Sequence, residues 1–209
     1  MWGHWHPCSY RGERMKLMID LFSGLGGASE AFTQGPDPWE VLRYENNPAL
    51  GDVPYTTLCD LVNFDIHVRH GVDLVWASPP CLEFSRAFAA PAPTAEREGR
   101  HFEPSLDLVK RAIEIIEELQ PISWVIENVV GAIKHFEPLL GEPRQIIGPF
   151  VLWGNFPFID IPRDFEHTKA GVDVGSRNPL RANIRGKIPL EVSQALRRAV
   201  EGQTQLYDW

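Results

Sequence analysis

Three short motifs carry the residues best suited to chemistry, and the first is Asp20-Leu-Phe-Ser-Gly-Leu-Gly-Gly27. Its glycines let backbone N–H groups approach a ligand, because no Cβ stands in the way. Glycine-rich loops are common, so the motif gains weight from two carboxylates downstream. Glu45 falls where a doubly wound fold binds ribose hydroxyls, and Asp60 ends the next apolar stretch, where it could accept from an adenine amino group. The second motif is Ser78-Pro-Pro-Cys81. A lone cysteine is more often buried filler. Two prolines stiffen the chain directly before this sulfur, however, and Glu83, Ser85 and Arg86 follow it. Nearby positive charge or a helix N-terminus would lower the thiol pKa and populate the nucleophilic thiolate. The third motif is Glu127-Asn128-Val129. A carboxylic acid beside a nucleophile supplies or holds a proton, and Asn128 could brace the Pro79–Pro80 backbone. A plain surface turn is the alternative.

These motifs need elements to position them. KLMID (16–20), VLRY (41–44), VDLVWA (72–77), ISWVI (122–126) and FVLW (150–153) read as short buried strands. Residues 105–119 read as an amphipathic helix capped by Ser105, with Leu106, Val109, Ala112, Ile113, Ile116 and Leu119 at helical spacing before Pro121. A last helix is expected from Pro189, with Val192, Leu196, Ala199 and Val200 as its apolar stripe and Gly202 as its end. Strands alternating with helices imply an α/β fold, a Rossmann-like, doubly wound, mostly parallel sheet. Such a sheet binds ligands at the carboxyl ends of its strands, which is where the motifs fall.

Composition sets the bounds. The 209 residues suffice for one α/β domain, and 44% hydrophobic with 23% charged residues is ordinary globular composition. No apolar run approaches the ~20 residues needed to span a bilayer, and the first residues lack a signal-peptide core. Cys8, Cys59 and Cys81 stand far apart, without the spacing of a zinc site or disulfide framework. The expected setting is cytoplasmic, with no membrane partner and no metal. The net charge of −8 argues against coating nucleic acid by bulk electrostatics, yet residues 163–198 hold eight Lys and Arg against four Asp and Glu. That later third is the expected DNA-facing side, if DNA is bound.

DLFSGLGG, SPPC and ENV, in this order and each after an apolar strand, resemble the cytosine-5 DNA methyltransferases. The resemblance runs from about Asp20 to Val129. It implies the class I methyltransferase fold and S-adenosyl-L-methionine as cofactor, with DNA as partner. Phe22, Ser23, Gly24, Gly26 and Gly27 would then line the methionine part, Glu45 the ribose, and Asp60 with Leu61 the adenine, with Asp20 a further cofactor-binding residue. Cys81 would be the nucleophile behind Pro80, Glu127 the acid engaging the cytosine ring, and Asn128 its neighbour in the motif. The physical logic agrees, because carbon 5 of cytosine accepts a methyl group only after a thiolate has added to carbon 6. Phe84 to Phe102, rich in Ala, Pro and Gly, could be a closing loop whose Arg86, Arg97 and Arg100 could meet phosphates, with Ser85 and Arg86 as its expected DNA contacts.

Two departures stand out. The family's arginine pair is absent from the strand expected at 146–154, leaving Arg144 before it and Arg177, Arg181 and Arg185 after it as candidates. A target-recognition domain is replaced by only residues 155–183, too few for an independent core. The expected organisation is a tail at 1–15, a catalytic domain at 16–154, this short substitute at 155–183, and a returning helix at 184–209. Asn183 precedes that helix and is a further cofactor candidate. The pattern looks like a compact, phage-type form of a restriction-modification enzyme that reads a short site or borrows specificity from a partner protein. Alternatives are an exocyclic-amine methyltransferase, which would lack a use for Cys81, a related carbon-5 enzyme on another nucleic acid, and a degenerate nucleic-acid binder.

Overall fold

The computed structural model describes residues 14–162, 165–167 and 177–207. Cys8 and almost all of the N-terminal tail, together with 163–164 and 168–176 of the basic later third, lie outside the described residues.

Among the described residues, seven strands form one sheet: β1 (Leu17–Leu21), β2 (Glu40–Glu45), β3 (Thr56–Leu58), β4 (Leu74–Ala77), β5 (Ser123–Val129), β6 (Gln145–Ile147) and β7 (Phe150–Asn155). Their spatial order is β3-β2-β1-β4-β5-β7-β6. The first five run parallel, while β7 is antiparallel to both β5 and β6. The chain builds outward from β1 in one direction and from β4 in the other, so the topological switch point lies between these neighbours. Among the described residues, five α-helices accompany the sheet: α1 (Pro91–Arg97), α2 (Asp107–Leu119), α3 (Ile133–Leu140), α4 (Arg181–Gly186) and α5 (Leu190–Tyr207).

The doubly wound expectation is met in the core. One cluster joins Leu17, Ile19 and Leu21 of β1 to Val109, Ala112, Ile115 and Ile116 of α2. The other joins Met18 and Trp76 to Val192, Ala195, Leu196 and Val200 of α5. Alternate residues of β1 therefore feed opposite faces, as the period-2 pleat requires. Both clusters are closed to solvent, which explains why β1 and β4 are buried at every residue and, apart from Asp20, apolar.

Several boundaries differ from the sequence reading. The strand expected to stop at Ile126 runs on through Glu127, Asn128 and Val129, which are the last three residues of β5. The stretch 146–154 is not one strand, because Gly148 at φ 56° turns the chain and pairs Ile147 with Phe150 in a hairpin. Residues 84–102 contain α1 rather than only loop, and α5 runs through Gly202 to Tyr207. Ser105 stands one residue before the observed N-cap Leu106, its Oγ accepting from Asp107 N at 3.2 Å. Helix α4 crosses the expected 183/184 boundary.

Candidate active site

The glycine turn leaves β1 at Phe22, whose φ is 56°, and passes through Gly24 and Gly26 at φ 54° and 70°. Glu45 at the end of β2 organises it. Its Oε2 accepts from Gly24 N at 2.8 Å, and its Oε1 accepts from Asn46 N and Asn47 N at 3.0 and 2.9 Å. Gly27 is obligatory for another reason, since a Cβ there would overlap the Ile188 carbonyl just before α5. Asn183 Nδ2 lies 3.8 Å from where a Gly24 Cβ would stand, so α4 borders the same turn. Asp20, buried at the end of β1, accepts from Ser29 Oγ, and burial pushes its carboxyl up to about 7. Asp60 follows β3 and caps a short 3-10 turn by accepting from Val62 N, while Leu61 beside it is buried.

This region fits S-adenosylmethionine on two observations. Ser23 Oγ is buried with no hydrogen-bond partner among the described residues, as a hydroxyl reserved for a ligand would be. Gly24 leaves beside it a cradle that a side chain would fill.

Across the switch point, the turn after β4 carries the thiol. Cys81 and Pro80 are exposed, and Pro79 is buried. Cys81 caps a 3-10 turn of Leu82–Phe84. Ala77 pairs with Ile126 in the β4–β5 register, which sets Ser78 level with Glu127. The Ser78 side chain hydrogen-bonds Glu127, and its Oγ also accepts from Trp76 Nε1 at 2.7 Å. Glu127 is 8% exposed, and burial outweighs the Ser78 bond to raise its carboxyl to about 7. Asn128 is fully buried, donates from Nδ2 to Pro79 O at 3.0 Å, and accepts from Val129 N at 2.9 Å. A Cβ on Gly131 would overlap the Phe84 carbonyl, so the turns after β4 and β5 meet backbone to backbone. One site thus gathers an exposed thiol, a protonatable acid and a brace.

The other expected residues spread farther. Ser85 Oγ accepts from Ala87 N at 3.2 Å, and Arg86 is exposed. Arg177 is exposed ahead of α4, and Arg181 and Arg185 are half-buried on it. Arg181 Nε is shielded from solvent with no hydrogen-bond partner among the described residues. Arg144 donates from Nε to Phe156 O at 2.5 Å, which gives it a structural employment. Sequence reasoning assigned no role to Ser78, Ser29 or Arg43. Arg43 had left a signal, a charge in the middle of the apolar run VLRY.

A doubly wound, mostly parallel sheet with a glycine turn at its switch point is the Rossmann-like architecture of class I methyltransferases. Residues 17–140 match the model of the C-5 cytosine-specific DNA methylase family, more than half of the chain, and the chain belongs to that family. It is 30% identical over 129 residues to a probable DNA (cytosine-5)-methyltransferase of Frog virus 3 (isolate Goorha), covering 57% of this chain and 56% of the relative. It is 32% identical over 133 residues to the type II methyltransferase M1.HphI of Haemophilus parahaemolyticus, covering 56% and 33%. The type II methyltransferase M.AquIA of Picosynechococcus matches at 29% over 151 residues, covering 63% and 58%. The matched stretch therefore spans well under two thirds of each relative's length.

Proposed function

We propose that this chain transfers a methyl group to carbon 5 of cytosine in DNA, with Cys81 as covalent nucleophile. The observation that carries this reading is the Asn128–Pro79 hydrogen bond, which holds the turn of the exposed Cys81 against the strand of Glu127, a buried acid whose carboxyl is raised to about 7. Such an acid holds a proton at neutral pH and releases it to a base nearby.

The steps assigned to these residues balance as follows. The Cys81 thiolate forms a bond to carbon 6 while Glu127 gives its proton to ring nitrogen 3. Charge that would build on the ring is neutralised, and carbon 5 becomes an enamine carbon. S-adenosylmethionine, when bound, supplies the methyl group, with Ser23, Gly24, Glu45, Asp60 and Asn183 positioned to hold it. The carbon 5 proton then leaves to a base, the sulfur–carbon bond breaks, and nitrogen 3 returns its proton to Glu127. Asn128, through Pro79, keeps the sulfur level with the acid. A stacked base cannot offer its face to a thiolate, so the cytosine is flipped out or already single-stranded.

Residues 155–183 would stand in for a recognition domain, with Arg177, Arg181 and Arg185, on or just ahead of the helix that carries Asn183, as the candidates to meet DNA. Their small number fits a short target, strongly salt-dependent binding, or specificity borrowed from a partner protein. Among the described residues no helix is long and apolar enough to cross a membrane.

The test is to incubate the protein with labelled S-adenosylmethionine and mixed-sequence DNA, digest, and identify the labelled nucleoside. Label in 5-methyldeoxycytidine is expected. Label only on an exocyclic amine, or none at all, overturns the reading.

A further inference from the structure

Arg43 is a guanidinium in a buried strand, only 5% exposed. In the β1–β2 register it stands opposite Asp20, and Ser29 links the two. Ser29 Oγ donates to Asp20 Oδ2 at 2.5 Å and accepts from Arg43 Nε at 2.8 Å. The rest of the fork goes to main chain. Nη1 donates to Pro54 O at 2.9 Å, in the turn before β3, and Nη2 donates to Gly26 O at 3.2 Å, in the glycine turn after β1. The guanidinium also occupies the space a Gly26 side chain would need.

Burying a cation in a strand is expensive and is offset only by hydrogen bonds to its nitrogens. Each of its three nitrogens donates one hydrogen bond, and the two Nη bonds join the turns that flank Glu45 and lead to Asp60. A glycine-rich turn left without support samples many backbone states, and a ligand must then supply the ordering. We propose that Arg43 is a positioning residue for the cofactor site: its fork ties the glycine turn to the Pro54 turn and so presets the groove between them. This rests on the cofactor reading above, and nothing in it requires Arg43 to touch the ligand.

Calorimetry with S-adenosylhomocysteine is the direct test, on the whole chain. The Arg43→Met variant should raise Kd at least about tenfold, since charge-assisted bonds to both carbonyls are lost. Arg43→Lys keeps the charge without the fork and should fall between Met and the unaltered protein. Steady-state turnover should show KM for S-adenosylmethionine rising with Kd, while kcat at saturation changes less than about twofold. A merely structural role gives another pattern, with lower binding stoichiometry and kcat but an unchanged Kd in the folded fraction, and that result overturns the proposal. If Arg43→Met fails to fold, Arg43→Lys with a Kd equal to that of the unaltered protein overturns it equally. Absence of binding by the unaltered protein would instead remove the cofactor reading, and the positioning role with it.

Discussion

Asn128 Nδ2 donates to the Pro79 carbonyl at 3.0 Å, so the strand that carries the acid also holds the turn that carries the thiol. The relation is rigid, because Asn128 is fully buried and its Oδ1 is engaged by Val129 N. Replacing it by alanine leaves the Pro79 carbonyl buried without this donor, which costs about 1–3 kcal/mol of stability. Asn128→Ala should therefore unfold at lower denaturant. Turnover at saturating substrates should fall more than cofactor affinity, as the sulfur drifts from the level of Glu127. Unchanged kcat in folded Asn128→Ala would show that the brace is dispensable.

Gly27 fixes a second junction, between the glycine turn and the segment leading into α5. Its φ does not demand glycine, but a Cβ would overlap the Ile188 backbone, which cannot swing aside as a side chain can. Gly27→Ala should destabilise the protein by about 1–3 kcal/mol, the range of overpacked cores. Gly186, with nothing near its Cβ position, is the control, and Gly186→Ala should change the denaturation midpoint little. Equal midpoints for Gly27→Ala and the unaltered protein would contradict this close packing.

Glu127 makes stability fall as pH rises. Its folded carboxyl titrates near 7, above the ordinary 4.5, so between these values the folded state holds a proton that the unfolded state lacks. The contribution is neutral below about pH 4 and reaches about 3 kcal/mol of destabilisation above pH 7. Glu127→Gln removes that ionisation. Its melting temperature should exceed that of the unaltered protein at pH 8, and the gap should narrow at pH 5. Asp20 is raised in the same direction, so the variant keeps part of the pH dependence. A variant less stable at pH 8 than at pH 5, relative to the unaltered protein, would reverse this sign.

Most of the site was legible because its residues are locally marked: glycines at a strand end, two prolines before a thiol, an acid after an apolar run. What was hidden depends on long-range pairing. Nothing local says that Glu127 remains in the strand; its pairing with Leu152 of β7 keeps it there. The hairpin at Gly148-Pro149 was masked by apolar residues on both sides, though the dipeptide itself is a turn signal. Strand β3 is three residues with exposed Thr57 and Leu58, too short for a periodic pattern. Ser29 and Arg43 acquire meaning only when β1 and β2 lie side by side. The helix after Gly202 persisted because one glycine lowers helix propensity by only about 1 kcal/mol relative to alanine.

The covalent step admits the most direct trial. If Cys81 adds to carbon 6, release requires loss of the proton on carbon 5. Fluorine at that carbon cannot leave as a cation, so methyl transfer should strand the protein on its substrate. DNA containing 5-fluorocytosine, with S-adenosylmethionine, should therefore yield a denaturation-resistant protein–DNA adduct. Cys81→Ser should abolish the adduct, because a hydroxyl is almost never ionised near neutral pH. Glu127→Gln should slow its formation by about 10²-fold or more, since an amide offers no acidic proton to the ring. Cys59, half-buried after β3 with its thiol pKa pushed up by burial, sits on the far side of β1 from the Cys81 turn. Cys59→Ser should leave the adduct intact. Methylated cytosine from a Cys81→Ala protein at an undiminished rate would end the covalent mechanism, whatever the adduct assay gave.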